Sequence, residues 1–192
     1  MEALDALLQR VSVARLGEPA PTPAQRELLF RAALRAPDHG QLRPWRFLTV
    51  EGEARVALGE LLARAQLARD PQAPAALLDK ARAMPLRAPL LIVAIACLKD
   101  HPKVPESEQL LAAGCAAHGL LLAAHAQGLG AIWRSGELSH DPVVAAGLGL
   151  AAHERIIGFL YLGTPLGERR TPQPLAPADF VAAWTSDLSV AG

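Results

Sequence analysis

The 192-residue sequence is short of several things, and each shortage narrows what the chain does. It holds only two cysteines, Cys97 and Cys115, and no CxxC. Nothing here builds a disulfide framework or a cysteine-based zinc site. An excess of one charge is missing: 19 Lys and Arg stand against 19 Asp and Glu. Without a basic excess or stripe, no nucleic-acid partner is expected. The apolar stretch Ala88 to Leu98 falls far short of the ~20 residues that span a bilayer, so no membrane partner is expected. The N-terminal MEALDALLQR carries Glu2 and Asp5 and no basic n-region, unlike a signal peptide. A cytoplasmic protein with reduced thiols is the expectation. Catalytic signatures are missing too. There is no GxxxxGK[ST] and no GxSxG. The G-x-G starts at Gly128 and Gly147 do not join a strand to a helix. His118 and His125 are two helical turns apart, ~10 Å along the axis. That is too far for one metal, and both read as packed or hydrogen-bonded core histidines. No metal site is expected.

What the chain has is apolar surface. Hydrophobic residues make up 51% and charged residues 20%, enough for a substantial core. The surplus fits an obligate oligomer, although alanine enrichment accounts for it equally. Helical spacing marks residues 3–8. A stronger start lies at Thr22, with Pro23 at the first helical position and Gln25 closing a capping box. Pro37 predicts that this helix ends at Ala36. Helices are expected over 53–69, 75–84, 107–127 and 141–148. Strands are expected at 46–51, 89–97 and 155–163, with a short strand or extended segment at 131–134. The 107–127 segment is nearly all apolar, so it should be central. Prolines 165, 172, 174 and 177 predict an extended tail. No linker divides the chain, so 1–192 reads as one domain with a C-terminal arm over 164–192. The class is α+β or α/β in three layers.

Two stretches invite a functional reading. In RVSVARL, Arg10 offers a charged planar fork and Ser12 a hydroxyl, both suited to phosphate. The spacing alone equally describes a solvated loop. APDHGQLRPWRF, residues 36–47, joins a capped helix to a strand, where ligand sites often form. A plain connection with Trp45 plugging the core explains it as well.

The order of the motifs settles more than any one of them. R-x-S at 10–12, AAxRAPDHGxxxPWRF at 32–47, HPKVP at 101–105, QGLGAIWRSG at 127–136 and IIGFLYLGTP at 156–165 follow one another. In this the chain resembles the flavin-dependent nitroreductase family along nearly its whole length, and most of all the small YdjA-like branch. The resemblance implies an α+β fold: a nitroreductase-like three-layer α-β-α sandwich with a central, mostly antiparallel sheet. It implies a homodimer with two FMN at the interface and a C-terminal arm crossing to the partner. Arg10, Val11 and Ser12 match the loop that holds the FMN phosphate and ribityl chain. Arg35, His39 and Gln41 match a loop supplied by the other subunit. Trp133, Arg134 and Ser135 match the segment beside the isoalloxazine. Arg169 or Arg170 matches a C-terminal basic residue near the phosphate.

The implied activity is reduction of nitroaromatics, quinones or similar electron-poor acceptors by NAD(P)H. Hydride passes through flavin N5 in a ping-pong cycle, and no protein residue is catalytic. Other readings on this scaffold are a dehalogenase or dehydrogenase, a flavin-binding dimer with little turnover, or a protein without flavin. The chain departs from the wider family in places. Val11 stands for an arginine, Arg15 falls one place late, Asp38 to Gln41 replace a serine-rich run, and Arg43 replaces a glutamine. These departures bear on which acceptors are used.

Overall fold

The computed structural model describes residues 1–185; the last part of the expected arm, 186–192, lies outside the described residues. Strand β3 (Leu90–Cys97) is the spine of the sheet. Its residues are apolar and branched, and those from Leu90 to Ala96 are buried on both faces, as the sequence run implied. It pairs antiparallel with β2 (Trp45–Glu51) on one side and with β5 (Glu154–Pro165) on the other. The far edge of β5 takes β4 (Gly130–Arg134) and then the two-residue β1 (Leu16–Gly17), both antiparallel. The sequence pattern did not predict β1, which is too short to show a period.

Side chains alternate across a strand, so one sequence feeds two cores. Leu91, Val93 and Ile95 of β3 face α3 (Glu53–Arg69), α4 (Ala75–Ala83) and α6 (Pro142–Gly147). Leu90, Ile92 and Ala94 face α2 (Pro23–Ala33) and α5 (Glu106–Ala126). Helices therefore cover both sides of an antiparallel sheet, an α+β arrangement in three layers. A fully buried Leu or Ile contributes about 1.5–3 kcal/mol, so β3 is a large part of the stability.

Local chemistry explains the helix ends. The Thr22 hydroxyl accepts from the Gln25 amide, and the Gln25 side chain accepts from the Thr22 amide. At its other end α2 stops at Ala33, short of the expected Ala36. Arg35 and Ala36 donate to Ala32 and Ala33, so the chain tightens before Pro37 is reached. By length and composition α5, at 21 residues, is long enough to cross a membrane. In the fold it is a core helix, with Ala112, Ala113, Ala116, Ala117 and Leu120 packed away from solvent. Its outer face stays exposed and carries Leu111, Cys115 and His118. His118 is thus not the core histidine that its setting suggested, whereas His125 is 7% exposed. α1 (Ala3–Gln9) touches α5 and leaves Leu4, Leu7 and Leu8 exposed. Over residues 166–185 the chain is irregular apart from a short helical turn at Pro177–Asp179 and is mostly exposed, including Leu175, Phe180, Val181 and Trp184.

Candidate functional site

Strand β4 carries the site, because its alternation sends consecutive residues to opposite faces. Trp133 faces the α5 layer. Its indole donates to the Ile157 carbonyl at 3.3 Å and lies against Gly158. A Cβ at Gly158 would stand 2.0 Å from Nε1, so only glycine seats this ring. Arg134, one residue on, faces the α3 layer, where its Cζ lies 5.8 Å from the centre of the Tyr161 ring. The Arg134 Nε is buried and has no hydrogen-bond partner.

On that face a cavity of about 500 Å³ opens. Leu58, Leu62, Ile132, Phe159 and Tyr161 give it an apolar floor. Arg69, Arg87, Arg134 and Ser135 give it polar walls. Arg69 is held by Glu137 at 2.5 Å and lies 4.0 Å from Asp141. Burial pushes the Tyr161 hydroxyl above its ordinary pKa, while the charges of Arg87 and Arg134 pull it back.

A second group of side chains gathers at the start of β4. Val13 donates to the Ala131 carbonyl at 2.9 Å, and Leu166 to the Arg15 carbonyl at 3.0 Å. These bonds lay the segment after Arg10 along β4 and the end of β5. Arg169 donates to the Gly128 carbonyl, which brings the arm to the end of α5. His125 sits in the last turn of that helix, its Nε2 buried and without a partner. Burial lowers its pKa, and the charges of Arg169 and Arg10 lower it further. Arg169 and His125 thus meet at the end of α5, Arg10 bears on the same histidine, and among the described residues neither arginine makes an ion pair. Such a place suits a phosphate.

The two groups stand at opposite ends of one strand. From Gly130 to Arg134 the chain advances ~13 Å at ~3.3 Å per residue. Each end holds an orphaned polar atom, His125 Nε2 and Arg134 Nε. Buried polar groups in native proteins are nearly always satisfied, so these two are open to a ligand atom; a third among the described residues, Arg55 Nε, belongs to a side chain that already donates to the Ala88 carbonyl. An elongated molecule with a phosphate at one end and a flat ring at the other matches this arrangement.

The remaining sequence-predicted residues lie elsewhere in the chain. Arg35 is exposed just past α2, and His39 and Gln41 are exposed on the connection to β2. His39 Nδ1 is 2.6 Å from Glu108 Oε2. Gly40, Gln41 and Arg43 have φ values of 72°, 54° and 49°, in the left-handed region. Non-glycine residues there are strained, and the Asp38 carboxylate helps by accepting from the Arg43 amide at 2.6 Å. None of Arg35, His39 and Gln41 lines the cavity of its own chain. Val11 is half-buried and Ser12 exposed, on either side of the Arg10-to-Val13 turn toward β4. Arg170 is exposed beside Arg169. Sequence reasoning did not find Arg87, Tyr161 or the role of His125. Arg87 lies in none of the motifs, Tyr161 lies within IIGFLYLGTP where only the strand pattern was read, and His125 offered only its closeness to QGLG.

An open antiparallel sheet between helix layers, with a cationic group and an apolar cavity joined by one strand, gives an α+β protein with a place suited to a phosphorylated planar molecule. The Nitroreductase family model matches residues 7–164, and the chain belongs to that family. It is 46% identical to "Putative NAD(P)H nitroreductase YdjA" of Escherichia coli strain K12 over 86% of this chain and 89% of that protein. A nitroreductase-like family protein from Bacillus cereus superposes with a TM-score of 0.80 at 22% identity, covering 96% of both chains. A variant of the FMN and NADPH-dependent nitroreductase NfnB, from Sphigopyxis sp. strain HMH, gives a TM-score of 0.74 at 22% identity, over 96% of this chain and 99% of that one.

Proposed function

We propose that the chain is an FMN-dependent oxidoreductase that uses NAD(P)H to reduce nitroaromatics, quinones or similar electron-poor acceptors. One observation carries the reading: two orphaned buried polar atoms at the two ends of β4, one in a cationic cradle and one in a flat apolar slot. Family membership and the names of the relatives support it. When bound, FMN supplies the hydride-carrying centre, so no protein nucleophile is needed.

The chain's own residues bind and orient. Arg10 and Arg169 hold the phosphate, with Ser12 and the backbone at Val11 beside the ribityl chain, and Arg170 is an outlying charge. Trp133, locked on Gly158, fixes the strand. Arg134 and Ser135 border the ring. The apolar floor of the slot excludes water, and donor and acceptor visit it in turn, in ping-pong order.

The working unit is a homodimer in the cytoplasm. Leu4, Leu7, Leu8 and Leu111 form an exposed apolar face on α1 and α5. Trp184, 83% exposed, lies on an arm that finds no cover on its own chain. An arm crossing to a partner buries it. The partner's α2–β2 loop then supplies Arg35, His39 and Gln41 to the site.

The test is the absorbance spectrum of the purified protein, loaded with FMN, before and after anaerobic NADH or NADPH. Bleaching of the oxidised flavin band is the expected result. A protein that binds no FMN, or whose flavin stays oxidised with both donors, overturns the reading.

A further inference from the structure

The charged residues around the slot do not balance. Arg69, Arg87 and Arg134 line it with Glu137, and Asp141 lies 4.0 Å from Arg69. Glu137 is taken by Arg69 at 2.5 Å. Among the described residues, Arg87 and Arg134 make no ion pair. Both line the cavity together with Tyr161, Arg87 as an exposed side chain and Arg134 with its Cζ 5.8 Å from the centre of the ring. Two guanidiniums without an acidic partner thus line one cavity with an apolar floor. A neutral acceptor makes no use of them. A flat acceptor carrying a carboxylate does, because arginine pairs with carboxylates through two parallel bonds.

We propose that the slot selects anionic aromatic acceptors and that Arg87 is the specificity-determining residue, holding the acceptor's carboxylate while Arg134 stays with the cofactor ring. This rests on the oxidoreductase reading above. For a nitro-substituted acceptor the chemistry balances with the reductant already named. NAD(P)H gives two electrons and one proton, and solvent gives a second proton. One N–O bond breaks, the nitro group becomes nitroso, and one water leaves.

Two measurements test the proposal on the full chain. In the first, kcat/KM is compared for 4-nitrobenzoate and its neutral counterpart 4-nitrobenzyl alcohol, in wild type, Arg87→Gln and Arg87→Lys. The expected preference for the carboxylate is about tenfold or more in wild type, near one in Arg87→Gln, and intermediate in Arg87→Lys. Equal use of the two acceptors by wild type, or an undiminished preference in Arg87→Gln, overturns it. In the second, calorimetry reads the binding of benzoate and benzyl alcohol without any turnover. Benzoate should bind wild type about tenfold more tightly than the alcohol, and Arg87→Gln should lose that difference. If the flavin is never reduced, the oxidoreductase reading fails, and the calorimetry still decides the anion site. If the flavin is reduced but neither measurement shows a charge preference, only the present proposal fails.

Discussion

The indole of Trp133 rests on Gly158 so closely that a single added carbon would stand 2.0 Å from its nitrogen. The contact ties β4 to β5 at the residue before Arg134, so one small substitution should disturb fold and site together. Gly158→Ala pushes the ring off the strand and overpacks the α5 face. It should cost about 2–3 kcal/mol, or roughly 5–10 °C in melting temperature for a domain this size. Thermal melting followed by tryptophan fluorescence, with FMN content measured alongside, checks it. A variant as stable as wild type that holds a full load of FMN contradicts the packing argument.

Arg169 and Arg170 are adjacent, but the structure gives them different surroundings. Both are exposed, but Arg169 reaches the Gly128 carbonyl and bears on His125, whereas Arg170 makes no such contact among the described residues. Arg169→Ala should weaken FMN binding by about 10–100-fold, as expected for loss of a charge-assisted phosphate contact. Arg170→Ala should change it by less than about threefold. Flavin fluorescence titration measures both, and the reverse order would move the phosphate contact to Arg170.

Away from the site, Arg46 grips Glu154 through two bonds of 2.5 and 2.7 Å, between β2 and β5 across β3. The Arg46 guanidinium, opposed by burial, holds the Glu154 carboxyl down to about 2. A carboxyl lowered in the folded state stabilises it above the ordinary value of 4.5 and loses that contribution as pH falls toward about 2. Glu154→Gln should cost about 1–3 kcal/mol at neutral pH, since Arg46 is only partly buried. The same change should flatten the acid dependence between those values. Urea unfolding at a series of pH values measures both effects.

Beside that pair, burial and then the Glu154 carboxylate push the Cys97 thiol up to about 11. At neutral pH it carries almost no thiolate, the reactive form. Alkylation of Cys97 by iodoacetamide should therefore be slow in the folded protein and should speed up at least about tenfold on denaturation. Mass spectrometry of labelled peptides reports it, and rapid labelling in the native state would contradict this environment.

The exposed leucines of α1 and α5 predict the oligomer. Replacing Leu7 and Leu111 together with Asp should raise the dimer dissociation constant about 100-fold, the scale expected when central apolar anchors are lost. FMN should be lost with the dimer if the α2–β2 loop of the partner completes the site. Sedimentation equilibrium and the flavin-to-protein ratio follow the two together. A monomer that keeps its full FMN would show the site to be complete in one chain.

Much of the fold was legible in the sequence because local chemistry wrote it. The capping box at Thr22 and Gln25 formed as read, and α3 occupies the span that helical spacing predicted. The run after Pro89 became a strand buried on both faces. Where the pattern failed, long-range packing had taken over. Leu16 and Gly17 are a strand only because the end of β5 lies beside them. His118 sits in an apolar stretch, yet it faces outward because α5 buries only one side.

By itself, the sequence determined a three-layer class of mixed α and β, the positions of the main helices and strands, and the order of motifs that marks the family, whose resemblance implied α+β. Those depend on periodicity, caps and spacing, which a chain carries locally. The tertiary structure alone decided that Trp133 and Arg134 serve opposite faces, that Arg169 is the arginine at the end of α5, and that Arg87, Arg134 and Tyr161 line one cavity. These follow from strand alternation within a particular sheet order, and sheet order is set by contacts between segments far apart along the chain.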